Sequence, residues 1–327
     1  MSRDNFLEVH GLTKYFEAGR PSLFSSDVQK VHAVDGVDFT LQRSEVIALV
    51  GESGCGKSTL ALLLMGLEDP TDGSVKFEGR DITHLNDHQR KDLRRKIQMV
   101  FQDPYESLNP TQTIEEIVTE PLSVHGFANE PDRHERVKKA MEDAGLKPAE
   151  VYMHRYPHEL SGGQRQRVVI AAALVLEPEI ILADEPVSML DVSIRAEVIN
   201  LLAELRITRQ IAVIFITHDL GSVGFFADRV AVMYLGRIVE IGTMLEVLEN
   251  PQHPYTKALI SVIPVPNPRL RHERIILSGE TPNPINIPSG CRFHPRCPVA
   301  IQSCKASDPP MVTLTKTHQA ACLLLVK

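Results

Sequence analysis

The residues with the clearest chemical potential form the segment Gly51-Glu-Ser-Gly-Cys-Gly-Lys-Ser-Thr59. It matches the pattern G-x-x-x-x-G-K-[ST] and lies between an apolar run that favours a buried strand and a stretch that favours a helix. Its glycines let backbone N–H groups converge on phosphate oxygens, to which the following helix presents its positive end. We therefore predict a phosphate loop for a nucleotide, formed by Gly51, Ser53, Gly54, Cys55, Gly56, Lys57, Ser58 and Thr59.

Three side chains of this phosphate loop have separate predicted roles. Lys57 places a point charge at the β- and γ-phosphates, and the Ser58 hydroxyl is a ligand for Mg²⁺. Cys55 is interpreted as a small spacer, the alternative being a reactive nucleophile.

Two carboxylates, Asp184 and Glu185, follow an apolar run at the position where doubly wound sheets place ligand chemistry. Asp184 is predicted to hold Mg²⁺ through water. Glu185 points to the other side of the strand and is predicted to polarise the water that attacks the γ-phosphate. Gln102 and His218 also follow apolar runs, so we expect Gln102 at Mg²⁺ and water and His218 at the phosphoryl oxygens.

A second helix start suited to anions lies at Leu160-Ser-Gly-Gly-Gln164, directly before a predicted helix. Because the phosphate loop already covers one side of a triphosphate, this second start is useful if it caps a nucleotide bound on another copy. The pattern therefore predicts a head-to-tail dimer in which Ser161, Gly162, Gly163 and Gln164 contact the nucleotide.

The elements that must position these residues alternate between strand and helix. Apolar runs predict strands at Leu7–Val9, Asp38–Leu41, Glu45–Val50, Ser74–Phe77, Gln98–Phe101, Ile180–Ala183, Ala212–Thr217, Arg229–Tyr234 and Ile238–Ile241, with a hairpin turn at Gly236. Helices are predicted at Thr59–Leu67, His134–Ala144, Arg165–Val175 and Ser193–Leu205, and residues from about 104 to 175 are mainly helical. This alternation predicts an α/β fold with a parallel sheet.

Composition limits the classes of partner and location. The formal charge of the 327-residue chain is −7, which argues against duplex nucleic acid as the main partner. The basic run Arg90–Lys96 is interpreted as a solvated helix face, the alternative being a binding patch. No apolar run is long enough to cross a bilayer, and the first residues lack the pattern of a secretory signal, so the expected location is the cytoplasm.

The composition changes beyond Ile263, because ten of the 22 prolines lie between Pro264 and Pro310. So many prolines oppose continuous helix or central strand. We therefore predict two domains, residues 1–262 and a small proline- and cysteine-rich extension at 263–327.

The ordered set of motifs resembles that of ATP-binding-cassette ATPases over about Leu7–Asn250, and it comprises the phosphate loop, Gln102, Leu160–Gln164, Ile180–Glu185, Asp191 and His218. The resemblance implies ATP and Mg²⁺ as cofactors and a P-loop ATPase core with a mainly parallel sheet. It also implies an N-terminal antiparallel β-subdomain and an inserted helical subdomain at about 104–175. By the same resemblance, Asp191 belongs to a loop that touches a partner subunit, and Phe16, or alternatively Tyr15, stacks on adenine.

A narrower resemblance, to dipeptide and oligopeptide importer ATPases, rests on the stretches Val100–Pro110, Arg155–His158, Met233–Gly236 and Asn250–Thr256. It implies a peripheral subunit on the cytoplasmic face of the membrane that powers peptide import, with two ATP molecules between two ATPase subunits. The implied partners are a second ATPase subunit, identical or different, transmembrane permease subunits and, indirectly, an extracytoplasmic substrate-binding protein. Importers of nickel and glutathione are related, and those substrates stay open.

Four cysteines of the tail, Cys291, Cys297, Cys304 and Cys322, follow the spacing C-x5-C-x6-C-x17-C. The tail from Ser289 resembles the carboxy-terminal extension of the same importer group, in which some members hold a [4Fe–4S] cluster. Zinc and four free thiols remain alternatives, and His294 could substitute as a ligand.

Two other classes of protein share some of these motifs. A soluble mechanical ATPase would need a long coiled coil between its nucleotide motifs, whereas only about a hundred residues separate Lys57 from Ser161. A binding module that holds nucleotide without hydrolysis would have to lack groups such as Glu185 and His218. The sequence therefore predicts an ATPase.

Overall fold

The computed structural model describes residues 5–18, 29–127, 132–263 and 274–326. Within these ranges the strands are β1 (Leu7–Ala18), β2 (Gln29–Leu41), β3 (Val46–Val50), β4 (Asp72–Phe77), β5 (Arg80–Asp81), β6 (Ile97–Val100), β7 (Ile180–Asp184), β8 (Ala212–Thr217), β9 (Arg229–Tyr234), β10 (Arg237–Thr243), β11 (Val312–Thr313) and β12 (Gln319–Ala320). The helices are α1 (Lys57–Leu64), α2 (Asp87–Lys96), α3 (Pro104–Ser107), α4 (Ile114–Val124), α5 (Arg133–Asp143), α6 (Glu150–Met153), α7 (Gly162–Leu174), α8 (Val192–Arg209), α9 (Leu220–Val223), α10 (Met244–Glu249) and α11 (Pro254–Ser261).

The chain folds as two compact units. The first comprises Met1–Leu41, Ile47–Thr83 and Thr217–Lys327, and the second comprises Gln42–Val46 and His84–Ile216. The predicted boundary at residue 263 adjoins residues 264–273, which lie outside the described ranges. The division into 1–262 and 263–327 therefore stays a prediction.

The first unit contains an antiparallel sheet in the order β2-β1-β4-β5. In the same unit, β3 pairs in parallel with β9, and β9, β10, β12 and β11 continue as antiparallel neighbours. Leu235 and Gly236 form the β9–β10 turn with φ of 42° and 81°, which confirms the predicted hairpin. Every residue of β3 is buried, as expected for a parallel strand covered on both faces.

The second unit contains parallel pairs between β6 and β7 and between β7 and β8. All side chains of β7 and β8 are buried, which agrees with their uninterrupted apolar sequences. In the described residues 104–127 and 132–174, the regular elements include the helices α3 to α7 and no strand, in agreement with the helical region predicted there. The α/β class is thus confirmed by both units.

Several predicted boundaries differ from the observed ones. Helix α1 begins at Lys57, two residues before the predicted start, because Gly56 in a left-handed conformation precedes it directly. Strands β1 and β2 have 12 and 13 residues, far longer than the predicted runs, and β1 has bulges near Leu12 and Lys14. Bulges and polar exposed positions break the alternation on which strand prediction depends.

The basic run Arg90–Lys96 lies on α2, which begins with a capping box formed by Asn86 and Gln89. Leu93 is the buried residue of this helix, and its basic side chains are exposed or half-buried. The arrangement agrees with a solvated helix face.

Candidate active site

The phosphate loop, Gly51–Thr59, connects β3 to α1 and requires glycine at two positions because other backbone approaches closely. A Cβ built on Gly51 would lie 2.2 Å from the Met233 carbonyl oxygen. A Cβ built on Gly56, where φ is +106°, would lie 2.0 Å from the Ala33 carbonyl oxygen. Gly54 has a φ of +77° with open space around it. Only glycine therefore allows this loop to keep the turn that exposes its N–H groups.

Lys57 is buried, and its ammonium group donates hydrogen bonds to the carbonyl oxygens of Gly51 at 2.8 Å and Glu52 at 2.9 Å. The backbone of the phosphate loop thus holds the Lys57 ammonium group in place. Burial raises the pKa of the Cys55 thiol, although the neighbouring Lys57 opposes the rise. This agrees with the interpretation of Cys55 as a spacer, since reactive cysteines have a lowered pKa.

Ser58 and Thr59 lie in the first turn of α1, with Ser58 exposed and Thr59 half-buried. Ser53 and Gly54 are exposed in the loop before it. An exposed hydroxyl in this position is a hard oxygen donor of the kind that Mg²⁺ prefers.

Asp184 ends β7 with 8% of its surface exposed, and Glu185 follows in a left-handed conformation with a φ of 47°. The Glu185 N–H donates to the Ile216 carbonyl at 2.9 Å, which fixes the turn. The Gln102 side-chain amide lies 3.4 Å from Glu185 Oε2. The second unit therefore brings together two side chains that the sequence separates by 83 positions.

Ser161 caps the N-terminus of α7 in a capping box with Gln164. The Gln164 N–H donates to Ser161 Oγ at 3.3 Å, and the Ser161 N–H donates to Gln164 Oε1 at 3.0 Å. A Cβ on Gly163 would lie 2.5 Å from Ile194, so glycine permits close packing against α8. Gly162 begins the helix, whose first turn carries no acidic residue, as an anion-binding helix start requires.

Asp191 immediately precedes α8, and its carbonyl oxygen accepts the Arg195 N–H at 2.9 Å. His218 follows β8 and is exposed. In the first unit, Lys14 Nζ lies 4.8 Å from the centre of the half-buried Phe16 ring.

The alternative adenine-stacking residue, Tyr15, has defined partners. Its hydroxyl donates to Asp35 at 2.7 Å, and its ring lies 4.3 Å from that of His32. Both contacts of Tyr15 lie within the first unit, and the choice of Phe16 or Tyr15 for adenine stacking stays a prediction.

Several side chains at the phosphate loop were missed by the sequence analysis. Glu52 donates its N–H to the Tyr255 hydroxyl at 2.9 Å. Its carboxylate accepts hydrogen bonds from Thr281 and from Arg296, the latter at 2.8 Å. No local pattern could reveal these pairs, because 203 to 244 positions separate their members.

The four tail cysteines are close enough to influence one another electrostatically. Burial raises the pKa of Cys291 to about 11, and the other three thiols add to that rise. Burial also raises the pKa values of Cys297 and Cys322. Each of these three thiols has a backbone N–H partner two positions further on, at Phe293, Val299 and Leu324. Among residues 5–18, 29–127, 132–263 and 274–326, no group of three or more His, Cys, Asp or Glu side chains is placed to hold a metal ion.

Comparison with known families and proteins agrees with this arrangement. Residues 34–188 match the family described as ABC transporter, and residues 239–304 match the one described as oligopeptide/dipeptide transporter, C-terminal region. The chain is 48% identical over 326 residues to the oligopeptide transport ATP-binding protein AppF of Bacillus subtilis, covering 99% of this chain and 98% of that protein. The chain belongs to the ABC transporter ATPases.

Other relatives of this ABC transporter ATPase give the same result. It is 49% identical over 317 residues to the dipeptide transport ATP-binding protein DppF of Haemophilus influenzae, covering 97% of this chain and 95% of that protein. A solved dimeric ATP-binding cassette in a post-hydrolysis state, bound to ADP and Pi, is 30% identical with a TM-score of 0.63, covering 73% of this chain and 98% of that one. A cassette of an ABC transporter complex from Clostridium perfringens is 31% identical with a TM-score of 0.65, covering 76% and 92%.

Within the described ranges, no helix of the ABC transporter ATPase is both long enough and apolar enough to cross a bilayer.

Proposed function

We propose that this chain is the ATP-hydrolysing subunit of a peptide importer. The hydrolytic part is carried by one observation, the 3.4 Å approach of Gln102 to Glu185 beyond the end of a buried parallel strand. A carboxylate beside an amide can orient and polarise a water for in-line attack on a γ-phosphate. The peptide substrate is supported by the match of residues 239–304 and by the names of the relatives.

The remaining residues have roles that follow from their chemistry. Lys57 and the loop N–H groups bind the β- and γ-phosphates, while His218 donates to the phosphoryl oxygens. Ser58 and Gln102 supply oxygen ligands for Mg²⁺, with Asp184 acting through water, and their hard donors fit that ion. When bound, Mg²⁺ neutralises charge on the phosphate oxygens. Phe16 stacks on adenine.

The complete site needs a second ATPase subunit, identical or different. The start of α7 is free of acidic residues and suits an anion, which supports a role for Ser161, Gly162, Gly163 and Gln164 in capping an ATP on the other subunit. Asp191 contacts the same subunit interface. Two ATP molecules between two subunits then drive transmembrane permease subunits, which receive substrate from an extracytoplasmic binding protein, and the chain acts as a peripheral protein on the cytoplasmic face.

The hydrolytic role is tested by ATPase activity of the purified chain and its Glu185→Gln variant. The variant should lose activity by about a hundredfold or more, because the water loses its polarising carboxylate. It should still bind ATP and form dimers more readily with ATP than the wild type does. Glu204→Gln, an exposed change on α8, serves as the matched control and should keep wild-type activity.

A Glu185→Gln variant with undiminished hydrolysis would contradict the assignment of Glu185. The peptide substrate is tested separately, by deleting the gene for this chain in its host and measuring uptake of labelled di- and oligopeptides. Retained peptide uptake together with lost nickel or glutathione uptake would contradict the proposal of peptide import. That result would leave the proposal of ATP hydrolysis unaffected.

We propose further that Cys291, Cys297, Cys304 and Cys322 hold a [4Fe–4S] cluster. The support is the C-x5-C-x6-C-x17-C spacing of the four cysteines together with the backbone N–H groups that three of the thiols accept, which stabilise cluster thiolates. A cubane cluster binds each cysteine at a different iron, so its ligands need not converge on one point.

The cluster is tested on protein purified without oxygen. The measurements are the absorbance of the thiolate-to-iron charge-transfer bands and the content of iron, sulfide and zinc. About four irons per chain, lost together in Cys297→Ser, are expected. Bound zinc without iron, or four reactive thiols without metal, would contradict it.

A further inference from the structure

A short segment of the extension, Cys291–Cys297, contacts the phosphate loop through an arginine. The Arg296 guanidinium donates to Glu52 Oε2 at 2.8 Å and to the Thr281 hydroxyl at 3.2 Å. The Thr281 hydroxyl in turn donates to the same carboxylate oxygen of Glu52. The Arg296 side chain is 9% exposed, so this ion pair is shielded from competing water on the arginine side.

Glu52 links this arginine to the lysine that binds phosphate. Its carbonyl oxygen accepts a hydrogen bond from Lys57 Nζ at 2.9 Å, and its N–H is held by Tyr255. The residue is therefore fixed at its side chain, its N–H and its carbonyl group. Arg296 acts on the same residue whose backbone orients Lys57.

The segment itself is rigidly anchored. Between its two arginines lies Phe293, which is 1% exposed and packs with ring centres 5.2 Å from Tyr234 and 5.5 Å from Tyr255. The guanidinium of Arg296 also lies 6.0 Å from the centre of the Tyr234 ring. Such packing holds Arg296 in place before any ligand binds.

The other arginine of the segment, Arg292, is anchored to strand β2 and to the β9–β10 turn. Arg292 forms an ion pair with Asp35 and donates to the Leu235 carbonyl. Two positions before Asp35 lies Ala33, whose carbonyl oxygen faces Gly56 of the phosphate loop. The extension thus contacts Glu52 of the phosphate loop through Arg296 and, through Arg292, the strand whose Ala33 carbonyl faces the loop.

The negative charge of Glu52 makes its contact with Arg296 important for a bound phosphate. Burial alone would raise the pKa of Glu52, but the hydrogen bonds from Arg296 and Thr281 hold it below its usual value. Glu52 is therefore ionised at neutral pH. An unpaired carboxylate next to a triphosphate would repel it, and its partner removes that repulsion.

We propose that Arg296 is a positioning residue for ATP, because it neutralises and fixes Glu52 and thereby lets the extension set the nucleotide affinity of the phosphate loop. This inference rests on the phosphate loop being the ATP site. It does not depend on the transported substrate or on what the four cysteines bind.

The test compares Arg296→Gln, Glu52→Gln and the double variant in the full-length chain. MgATP affinity is measured by titration with a fluorescent ATP analogue, and kcat and KM are measured for hydrolysis. Arg296→Gln should weaken ATP binding and raise KM by about five- to tenfold, with kcat within about twofold, since it leaves a bare carboxylate beside the phosphates.

The double variant decides between positioning by charge and a merely structural role. Removing Glu52's charge as well should restore ATP affinity to within about threefold of wild type, a non-additive result that general destabilisation would not give. Glu52→Gln alone should bind ATP at least as tightly as wild type. Lys305→Gln, an exposed change next to Cys304 in the same extension, is the matched control and should bind ATP normally.

Thermal unfolding without nucleotide accompanies each titration, and Arg296→Lys provides a charge-retaining variant should Arg296→Gln not fold. Arg296→Lys should bind ATP with an affinity within about twofold of wild type. Where Arg296→Gln folds as well, Arg296→Lys should bind ATP more tightly than Arg296→Gln. A folded Arg296→Gln with unchanged ATP affinity, or a double variant weaker than either single one, would overturn the inference alone. A wild-type chain that does not bind ATP would overturn both the inference and the proposed site.

Discussion

Two glycines of the phosphate loop differ in the physical reason that requires them. Gly54 has a left-handed φ but open space where a side chain would go. Gly56 has a left-handed φ and also faces the Ala33 carbonyl oxygen and the end of the Met233 side chain. The first position is restricted by backbone conformation only, whereas the second is restricted by contact with a neighbouring backbone as well. A substitution at Gly56 must therefore move the loop.

Gly56→Ala is expected to lower the free energy of unfolding by about 2 kcal/mol or more and to abolish ATP binding, because the added methyl group meets backbone that cannot give way. Gly79→Ala is the matched control, since Gly79 has a φ of +74° with nothing within 4 Å. It should cost only about 1 kcal/mol and keep ATP binding. Thermal unfolding and nucleotide titration check both, and equal effects of the two variants would contradict the steric argument.

At the scale of elements, helices α7 and α4 of the second unit begin with the same capping arrangement. Ser161 and Gln164 form it on α7, and Thr113 and Glu116 form it on α4. In both, the N-cap hydroxyl accepts the N–H three positions later at 3.3 Å. The stability that each cap contributes should therefore be similar, while only α7 is proposed to meet ATP.

Ser161→Ala and Thr113→Ala should each lower the unfolding free energy by about 1 kcal/mol through loss of the cap. Only Ser161→Ala should also lower the ATPase kcat, by about tenfold or more, because it removes a donor to the transferred phosphate. Chemical denaturation and steady-state kinetics distinguish the two effects. Equal activity in both variants would mean that Ser161 is a cap alone.

At the scale of the whole first unit, the extension is joined to the sheet by a buried carboxylate. Glu240 on β10 is fully buried and accepts hydrogen bonds from His318 Nε2 at 2.7 Å and from the N–H groups of Gln252 and His253, both at 2.8 Å. The first donor comes from the extension and the other two from the turn before α11. Such a carboxylate is stable only because each partner is in place.

His253 makes the stability of this region sensitive to acid. His253 is the N-cap of α11, and its Nδ1 accepts the Tyr255 N–H at 3.1 Å. This hydrogen bond requires that Nδ1 carries no proton. Burial, with a smaller effect of Lys257, lowers the pKa of His253 from 6.5 to about 3. The unfolded chain therefore takes up this proton first, and stability falls as the pH drops from 6.5 towards 3.

Between about pH 7.5 and pH 5.5, wild type should lose about 1 kcal/mol more unfolding free energy than His253→Asn, which keeps a capping oxygen but cannot titrate. Urea denaturation at both pH values measures this difference. His88→Asn is the control, because the His88 side chain is 87% exposed. Parallel pH profiles of wild type and His253→Asn would contradict the assignment.

Prediction from sequence succeeded where a residue's environment is set by its own segment. The buried strands β7, β8 and β9 were found within one residue because their apolar runs are uninterrupted. Strand β1 was found only in its first residues, since its later positions are half-buried and bulged and owe their pairing to β2 and β4. The start of α1 was missed by two residues, because Gly56 ends the loop in a conformation that no pattern reports.

The α/β class and the phosphate loop with its ordered companion motifs could be predicted from the amino-acid sequence, because each of those motifs is a contiguous segment whose chemistry lies in its own residues. The contacts between groups that are distant in the chain became apparent only in the folded protein. Gln102 reaches Glu185 across 83 positions, and Arg296 reaches Glu52 across 244. These contacts depend on the pairing of strands and on the packing of Phe293, which are long-range and leave no periodic trace in the chain.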